Sequence, residues 1–372
     1  MSHILFISHA RGLHGAESVM VQALKACVSH GALVTMVVPS IAPDEGLAET
    51  LNDIPGVSLL ALPYRAAGVN ILRTILVGVY NLPALMRLKR YVRREKVDCI
   101  YSNTYVTILG SALARMTGVR HIWHWHEPVD AQYGWHASLT GLYRCLAKRA
   151  DTVICISRSQ QTEWEQTLGV SLHNAQIIYN PIKPLPSVLS DLLVPHEGVR
   201  IGFIGHFEKR KNIPLLVHVF EQLHAQHPDT SLWLCGATNE QDRTNIEHLT
   251  SLREPVLTVL PQTPDVASFY RQIDILVLPS WRETMPLVVL EAMQAGVCVL
   301  QTGKSGMKEL VEDGKESLFF PPDQPDTLLQ LLERCMDSMQ RRQLALAGQE
   351  KAMLLIKNQS FDRQIRNLLC VS

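Results

Sequence analysis

Short apolar runs recur along the chain and alternate with longer segments of mixed polarity. The runs are rich in β-branched residues and lack a regular polar position, which is typical of strands buried on both faces of a parallel sheet. The first series is 3–8, 33–38, 57–62, 98–102, 121–125, 152–157 and 176–180, and the second is 200–205, 231–236, 256–260, 274–279 and 297–302. Strand–helix alternation of this kind, present twice, predicts an α/β fold with two Rossmann-like, doubly wound parallel-sheet domains.

A proline-rich segment separates the two series. Residues 181–195, PIKPLPSVLSDLLVP, contain four prolines, which is typical of a linker. We therefore place the boundary near residue 190, which gives an amino-terminal domain over 1–190 and a second domain over 191–359. Because ligands of open α/β sheets bind outside the carboxyl ends of the strands, we expect the two domains to face each other across a cleft.

Composition narrows the class of protein. Apolar residues make up 47% of the chain and charged residues 19%, and Lys+Arg equals Asp+Glu at 35 each, so no global field would attract nucleic acid. Eight cysteines without a CxxC pair indicate reduced thiols in a cytoplasmic protein rather than disulfides or a zinc site. The amino terminus lacks a cationic region before its apolar run, and no uncharged apolar stretch reaches about 18 residues, so neither a signal peptide nor a membrane span is expected.

Two carboxylates flank an apolar run in RETMPLVVLEAMQAG, residues 282–296. Glu283 follows the predicted strand over 274–279, and Glu291 lies one to two turns inside the helix that should follow. Both side chains can therefore face the carboxyl edge of the sheet. The alternative is that Glu283 only complements the helix dipole and Glu291 lies on a solvated helix face.

The start of that helix favours an anion. Pro286 fits the first turn, where its missing N–H costs nothing. The N–H groups of Leu287 and Val288 have no carbonyl partner one turn earlier in the helix, so they are available to a phosphate.

A basic turn follows the strand over 200–205. Lys209, Arg210 and Lys211 come shortly after Gly205 and His206, beyond the carboxyl end of that strand, where phosphate binding is expected. The alternative is a solvated basic turn.

Two stretches of the first domain hold further candidates. FISHARGLHGAES, residues 6–18, lacks GxGxxG, but Gly15 would allow a ligand close to the backbone, unless this is a plain βα turn. In HIWHWHEP, residues 121–128, His124 and His126 should share one face of a strand while His121 points the other way. No third ligand is evident, so a metal site is disfavoured. Two hypotheses are left: the histidines are structural, or His126 has a role at the carboxyl edge.

Residues 70–96 form a separate candidate for a surface contact. Apolar residues there are followed by six Lys and Arg residues, at 87, 89, 90, 93, 94 and 96. A basic amphipathic segment of this type can lie on an anionic membrane. The alternative is a core-packed helix with a solvated basic end.

Several of these motifs together resemble a known family. The segment 276–322, with its E-x7-E spacing, EAM-AG block and ELVEDG run, is similar to GT-B glycosyltransferases of the retaining family 4, also called glycosyl transferases group 1. Weaker similarities are LHGAE at 13–17, HEP at 126–128, ICISRS at 154–159, IIYNP at 177–181 and GHFEKRKN at 205–212. The ending over 360–372 resembles the family's last helix, which returns to the first domain.

The resemblance implies roles for the candidate residues. Glu283 would contact the donor sugar, Glu291 the ribose, and Lys211, assisted by Arg210, the diphosphate. The amides of Leu287 and Val288 would also bind the diphosphate, Gly15 would lie against the donor, and His126 near the reacting centre. The sequence departs from the family where His206 replaces Arg and ETMP replaces EGFG, and LHGAE has one glycine where the family often has two.

The implied function is transfer of a hexosyl group, with retention of configuration, from a nucleotide-diphosphate sugar to a glycan or lipid-linked acceptor. UDP is the default nucleotide. The sugar nucleotide is a substrate, and no cofactor or metal is required. Such a reaction would serve cell-surface polysaccharide or lipopolysaccharide synthesis in the cytoplasm, with peripheral contact at the inner membrane face. The alternatives are a GT-B sugar-nucleotide epimerase and a non-catalytic glycan- or nucleotide-binding subunit.

Overall fold

The computed structural model describes residues 2–13, 15–40, 46–68, 70–129, 135–185 and 196–370. The chain forms two compact units, Met1–Pro181 with Ser360–Ser372, and Ile182–Gln359. The boundary predicted near residue 190 falls in 186–195, outside the described residues.

The first unit contains a parallel sheet with helices along it. Its strands are β1 (His3–Ile7), β2 (Leu33–Pro39), β3 (Val57–Leu62), β4 (Cys99–Asn103), β5 (Arg120–Trp125), β6 (Thr152–Cys155) and β7 (Ala175–Ile177). Its helices are α1 (Gly15–Val28), α2 (Gly46–Asn52), α3 (Ile71–Tyr80), α4 (Leu82–Arg94), α5 (Ile108–Thr117), α6 (Thr140–Arg149) and α7 (Arg158–Leu168). Within the described ranges the strand order is β3-β2-β1-β4-β5-β6-β7, so the direction of winding reverses between β1 and β4.

The second unit repeats this architecture. Its strands are β8 (Val199–Ile204), β9 (Thr230–Ala237), β10 (Leu257–Pro261), β11 (Ile275–Leu278), β12 (Cys298–Thr302) and β13 (Leu318–Phe320). Its helices are α8 (Ile213–Gln226), α9 (Glu240–Glu247), α10 (Val266–Tyr270), α11 (Leu287–Gln294), α12 (Pro325–Met336) and α13 (Ser338–Asn358), and α14 (Phe361–Leu369) belongs to the first unit. Across the residues placed by the structure the order is β10-β9-β8-β11-β12-β13, so winding reverses between β8 and β11.

The predicted α/β class with two doubly wound parallel sheets is confirmed, and each predicted run contains a strand. Burial on both faces does not extend to the edges of the first sheet, where β3 leaves Leu59 41% exposed and β7 is also partly exposed. The sequence prediction missed β13, because its three residues are too short for a periodic signal.

The cysteines are free thiols, as predicted. Six of them are buried, whereas Cys145 is exposed and Cys370 is partly exposed.

Alternation along β1 divides the core of the first unit into two layers. Ile4 and Phe6 pack with α1 and α14, whereas Leu5 and Ile7 join the cluster that contains residues of α4 and α5. This is the period of two expected for a strand covered on both faces.

Helix α14 contributes an apolar stripe to the first of these layers. Phe361, Ile365 and Leu369 recur every four residues and are buried together with residues of α1. Helix α14 therefore belongs to the core of the first unit although it follows the whole second unit in sequence.

Helices α3 and α4 differ in how they are packed. Helix α4 buries Ala84, Leu85, Leu88 and Val92, whereas the buried part of α3 is Thr74. No single helix among the described residues is long and apolar enough to span a membrane; α3 and α4 pass that test only as a pair, and they meet at 58°.

The packing of α14 leads to a stability prediction. Replacing the fully buried Ile365 by Ala should lower the free energy of unfolding by roughly 2–5 kcal/mol, because it leaves a cavity against α1. Urea denaturation followed by circular dichroism measures this change. Replacement of the exposed Arg363 by Ala is the control, and equal effects of the two changes would contradict the assignment of α14 to this core.

Candidate functional site

The basic turn of the second unit is paired with a carboxylate. Lys209–Lys211 form one 3-10 turn after β8. The Lys211 Nζ lies 2.6 Å from Glu283 Oε1, and the Arg210 Nη1 lies 3.4 Å from the same oxygen. Lys211 and Glu283 are about one-tenth exposed. The structure therefore brings together the basic turn and Glu283, which the sequence analysis identified separately.

Backbone hydrogen bonds hold the loop that carries Glu283. Trp281 N–H donates to Arg210 O at 2.9 Å, and Glu283 N–H donates to Lys304 O at 3.1 Å. The Glu283 carboxylate is thus fixed by the loops that follow β8 and β12 as well as by its own.

Two glycines set the path of the loop after β8. Gly205 has φ +143° and Gly236 has φ +140°, and a Cβ at Gly236 would lie 2.0 Å from Gly205 O. A side chain there would clash with backbone, so this approach requires glycine. A Cβ at Gly205 would lie 3.9 Å from Lys211 Nζ, which places the start of the loop beside the ammonium group.

Helix α11 begins at Leu287, with Pro286 as its N-cap. The sequence prediction placed Pro286 inside the first turn; in the structure Pro286 is extended, at φ −72° and ψ 106°, and its carbonyl accepts from Val289 N–H at 3.2 Å. Leu287 and Val288 therefore supply the first amides of the helix, and the position of the proline shifts the start by one residue.

Glu291 lies on α11 and is separate from the Lys211–Glu283 pair. Tyr270 is fully buried, and its hydroxyl lies 3.0 Å from Glu291 Oε2 and 3.3 Å from Val288 O. Burial raises the pKa of Glu291, and the hydrogen bond from Tyr270 opposes that shift. The solvated-face alternative for Glu291 is therefore wrong, and Tyr270 is a partner that no sequence pattern indicated.

A second polar cluster lies in the first unit, at the carboxyl ends of β1, β4 and β5. His126 Nε2 lies 2.9 Å from Asn103 Oδ1, and Asn103 Nδ2 lies 3.3 Å from Glu17 Oε1. Ser8 Oγ and His9 Nδ1 lie 3.5 Å and 3.3 Å from the same carboxylate oxygen. Glu17, Asn103 and His9 were not among the predicted site residues; Glu17 occurred in the LHGAE motif, and Asn103 is a polar residue at a strand end.

The two histidines of β5 and His126, which follows it, occupy the faces predicted for them. The rings of His124 and His126 lie 4.0 Å apart, whereas His121 Nε2 lies 2.9 Å from Ser102 Oγ. Burial lowers the pKa of His126 to about 3 and that of His121 to about 4. The imidazoles are therefore neutral at physiological pH.

Thr104 follows β4 in an unusual conformation. Its φ is +68°, which is rare for a β-branched residue and costs about 1–3 kcal/mol. Its N–H donates to His124 O at 2.8 Å, and its carbonyl accepts from Trp123 Nε1 at 2.8 Å. These bonds from β5 hold the strained residue in place next to Asn103.

Gly15 begins α1, two residues before Glu17. A Cβ at Gly15 would meet no atom within 4 Å, so packing among the described residues leaves open space beside it. Gly15 and His126 lie in the first unit, while the other predicted site residues lie in the second. Across the described residues, no group of three or more His, Cys, Asp or Glu side chains is arranged to hold a metal ion.

The buried His126 leads to a prediction for acid stability. The pKa of His126 is about 3 in the folded protein, against a reference value of 6.5. As the pH falls below about 6.5, only the unfolded chain therefore binds a proton at this histidine, and the free energy of unfolding decreases. Replacing His126 by Gln should reduce the loss of unfolding free energy between about pH 7 and pH 5 by up to roughly 2 kcal/mol.

Urea unfolding at the two pH values measures this difference, and replacement of the exposed His30 by Gln is the control for losing an imidazole. Burial raises the pKa of Glu127 to about 7, so protonation of Glu127 stabilises the folded protein as the pH falls. This contribution is the same in the unchanged protein and in both variants. An unchanged pH dependence in the His126→Gln variant would contradict the neutral state of His126.

Comparison with known proteins agrees with this fold. The family model described as "Glycosyltransferase Family 4" matches residues 13–184, and "Glycosyl transferases group 1" matches residues 198–338. The crystal structure of Anabaena HepE in complex with UDP-glucose has a TM-score of 0.79 at 19% identity, over 100% of both chains.

Curated relatives match over part of their length. An uncharacterized glycosyltransferase of Haemophilus influenzae is 28% identical over 243 residues, 63% of this chain and 65% of that protein. A D-inositol 3-phosphate glycosyltransferase of Corynebacterium jeikeium is 30% identical over 155 residues, 38% of this chain and 37% of that protein. The chain thus spans less than two thirds of either relative. With the two family models matching in order along most of the sequence, the chain belongs to the group 1, or family 4, glycosyltransferases with the GT-B fold.

Proposed function

We propose that the chain transfers a hexosyl group from a nucleotide-diphosphate sugar, with UDP favoured, to a glycan or lipid-linked acceptor. The observation that carries this proposal is the arrangement of the second unit, where a basic turn, a carboxylate and the start of α11 converge at the carboxyl edge of one sheet. In this proposal the second unit binds the donor, and the first unit supplies the acceptor side and His126.

The basic turn and α11 would bind the diphosphate. Lys211 and Arg210 supply two positive charges, and the amides of Leu287 and Val288 point along the helix axis towards its positive end. When the C1–O bond breaks, negative charge develops on the departing diphosphate, and groups already in place stabilise it. His206 stands where the family usually has Arg, so Arg210 takes a larger share of this charge.

Without donor, Lys211 is occupied by Glu283 at 2.6 Å. A diphosphate would recruit the ammonium group and leave Glu283 free to accept hydrogen bonds from the sugar hydroxyls. The same contact therefore keeps both groups oriented before the donor arrives.

Glu291 would accept hydrogen bonds from the ribose hydroxyls. The Tyr270 hydroxyl at 3.0 Å leaves the other carboxylate oxygen for a ligand. Open space beside Gly15 would allow the donor close to the start of α1.

We place no protein nucleophile and no metal in the reaction. The front-face route implied by the family keeps the anomeric configuration, since the acceptor hydroxyl attacks from the side that the diphosphate leaves. The proton of that hydroxyl goes to the departing phosphate oxygen. The UDP-glucose bound to HepE, a protein of the same fold, supports UDP as the nucleotide.

The role given to Glu291 can be measured by donor binding. Replacing Glu291 by Gln should weaken UDP-sugar binding by roughly 10- to 150-fold, because hydrogen bonds to a charged acceptor contribute about 1.5–3 kcal/mol. Isothermal titration calorimetry with UDP-glucose, UDP and GDP-mannose measures this change. The exposed Glu312 replaced by Gln is the matched control, and equal affinities for both variants would contradict the assignment.

Product analysis separates transfer from the alternatives. A transferase consumes the donor only when an acceptor is present and releases UDP, whereas an epimerase converts the sugar nucleotide without an acceptor. Binding of the donor with no turnover under either condition would favour a non-catalytic subunit and contradict the proposal.

We also propose that α3 and α4 lie on an anionic membrane, as fits a lipid-linked acceptor in cell-surface polysaccharide synthesis at the inner face of the membrane. Leu72 is 71% exposed, Leu76 68%, Val79 61% and Ile75 56%. The apolar residues of α3 are followed along the chain by the exposed arginines of α4, at 87, 90, 93 and 94. The alternative of a core-packed helix applies to α4 but not to α3. In this proposal α3 enters the lipid while the arginines of α4 contact anionic headgroups.

The bend between the two helices is fixed from within the first unit. The Asn81 side chain bonds to both the N–H and the C=O of Arg65, each at 2.9 Å. The Arg65 guanidinium in turn lies 4.8 Å from the centre of the Tyr80 ring. These contacts keep α3 directed away from α4 and its apolar side chains uncovered.

Vesicle flotation tests the membrane contact. The protein should float with phosphatidylglycerol vesicles and less with phosphatidylcholine vesicles, and changing Leu72 and Leu76 to Asp should abolish binding. The control carries Asp at Met339 and Leu354 of α13, which are 79% and 53% exposed, and should still float. No binding by the unchanged protein, or equal loss in both variants, would rule out α3 as the contact.

A further inference from the structure

The cluster at the carboxyl ends of β1, β4 and β5 determines how the His126 ring is protonated. An Asn side chain has one accepting oxygen and one donating NH2 group, and a carboxylate only accepts. Glu17 lies 3.3 Å from one end of the Asn103 amide, so that end is the NH2 group. The amide oxygen therefore faces His126 Nε2 at 2.9 Å, and Nε2 must donate.

Glu17 is suited to this task because its carboxyl group is enclosed and held by several contacts. It is 1% exposed, and its Oε1 also has Ser8 Oγ at 3.5 Å and His9 Nδ1 at 3.3 Å. Both groups can donate a hydrogen bond to the carboxylate, which compensates for its burial. Glu17 itself is too enclosed to meet a substrate.

The His126 ring is also held from behind. The His124 ring lies 4.0 Å away, and His124 Nδ1 is hydrogen-bonded to the Tyr101 hydroxyl. His124 is itself buried and neutral, since burial and the neighbouring His126 lower its pKa. The ring of His126 is thus fixed in position by one contact in its plane and one against its face.

From these contacts we propose that Glu17 and Asn103 are positioning residues which hold His126 as the Nε2–H tautomer, so that its Nδ1 lone pair accepts a hydrogen bond from a sugar or acceptor hydroxyl. Within the described part of the chain, Nδ1 has no hydrogen-bond partner, which leaves it available to a substrate. Glu17 lies on α1, Asn103 ends β4 and His126 follows β5. They lie next to the point where the winding of the sheet reverses, which is where such folds bind ligands. The role in sugar transfer rests on the function proposed above, whereas the tautomer does not.

Nuclear magnetic resonance of the protein with 15N-labelled histidine reads the tautomer directly. Long-range 1H–15N spectra should show His126 with a protonated Nε2 and an unprotonated Nδ1. Glu17→Gln and Asn103→Leu should each remove this preference, because the first replaces a carboxylate by an amide that can also donate and the second loses the acceptor. An Nδ1–H tautomer in the unchanged protein would overturn the proposal, with or without measurable transfer.

Kinetics test the consequence for the reaction. Both variants should lower kcat by about tenfold or more, the loss of one well-oriented hydrogen bond, while the KM for the sugar nucleotide changes little. Ser102→Ala is the matched control, because it removes a buried Ser–His hydrogen bond, to His121 at 2.9 Å, on the other face of the same strands.

The control should lose stability but keep the His126 tautomer and kcat. Two outcomes would overturn the proposal: unchanged tautomer and kcat in both variants, or a loss in Ser102→Ala equal to theirs. A lost tautomer preference in a protein that shows no transfer would support the positioning role and count against the proposed function alone.

Discussion

Parallel pairing of neighbouring strands determines where the charged residues of each unit come together. Within the described residues, neighbouring strands of both sheets pair in parallel. The carboxyl ends of all strands in a unit therefore lie at one edge, and so do the loops that follow them. Residues as distant in sequence as Lys211 and Glu283, or Glu17 and Asn103, meet because β8 lies beside β11 and β1 beside β4.

The buried charges at these edges are costly to the fold. An ion pair such as Lys211–Glu283, about one-tenth exposed, gains little stability after the cost of desolvating both groups. A hydrophobic pair of similar size would stabilise the fold as well. Strained Thr104 and the enclosed carboxylate of Glu17 carry costs of the same kind. Their position at the carboxyl edges fits the binding roles proposed above better than a role in stability.

The sequence predicted the strands well because central parallel strands are continuous apolar runs with little ambiguity. It failed at β13, which is three residues long, and at the exposure of β3, because edge position depends on sheet order. Lys211 and Glu283 were each predicted as site residues at a strand end, but their pairing was not predicted, because it depends on β8 lying beside β11. The roles of Tyr270 and Asn103 could not be predicted, because the hydrogen-bond partner of a tyrosine or asparagine is known only from the folded structure. The sequence of 70–96 also could not show which of its apolar residues are buried. In the structure those of α4 are largely covered and those of α3 are exposed.

We propose that the start of α11 and the turn over 209–211 together bind a diphosphate. The decisive measurement is a crystal structure of the protein with a UDP-sugar. Phosphate oxygens should lie within hydrogen-bond distance of the Leu287 and Val288 amides and of Lys211 Nζ, with the ribose hydroxyls at Glu291. Density for the nucleotide that leaves Lys211 paired with Glu283 and places the phosphates away from α11 would contradict it.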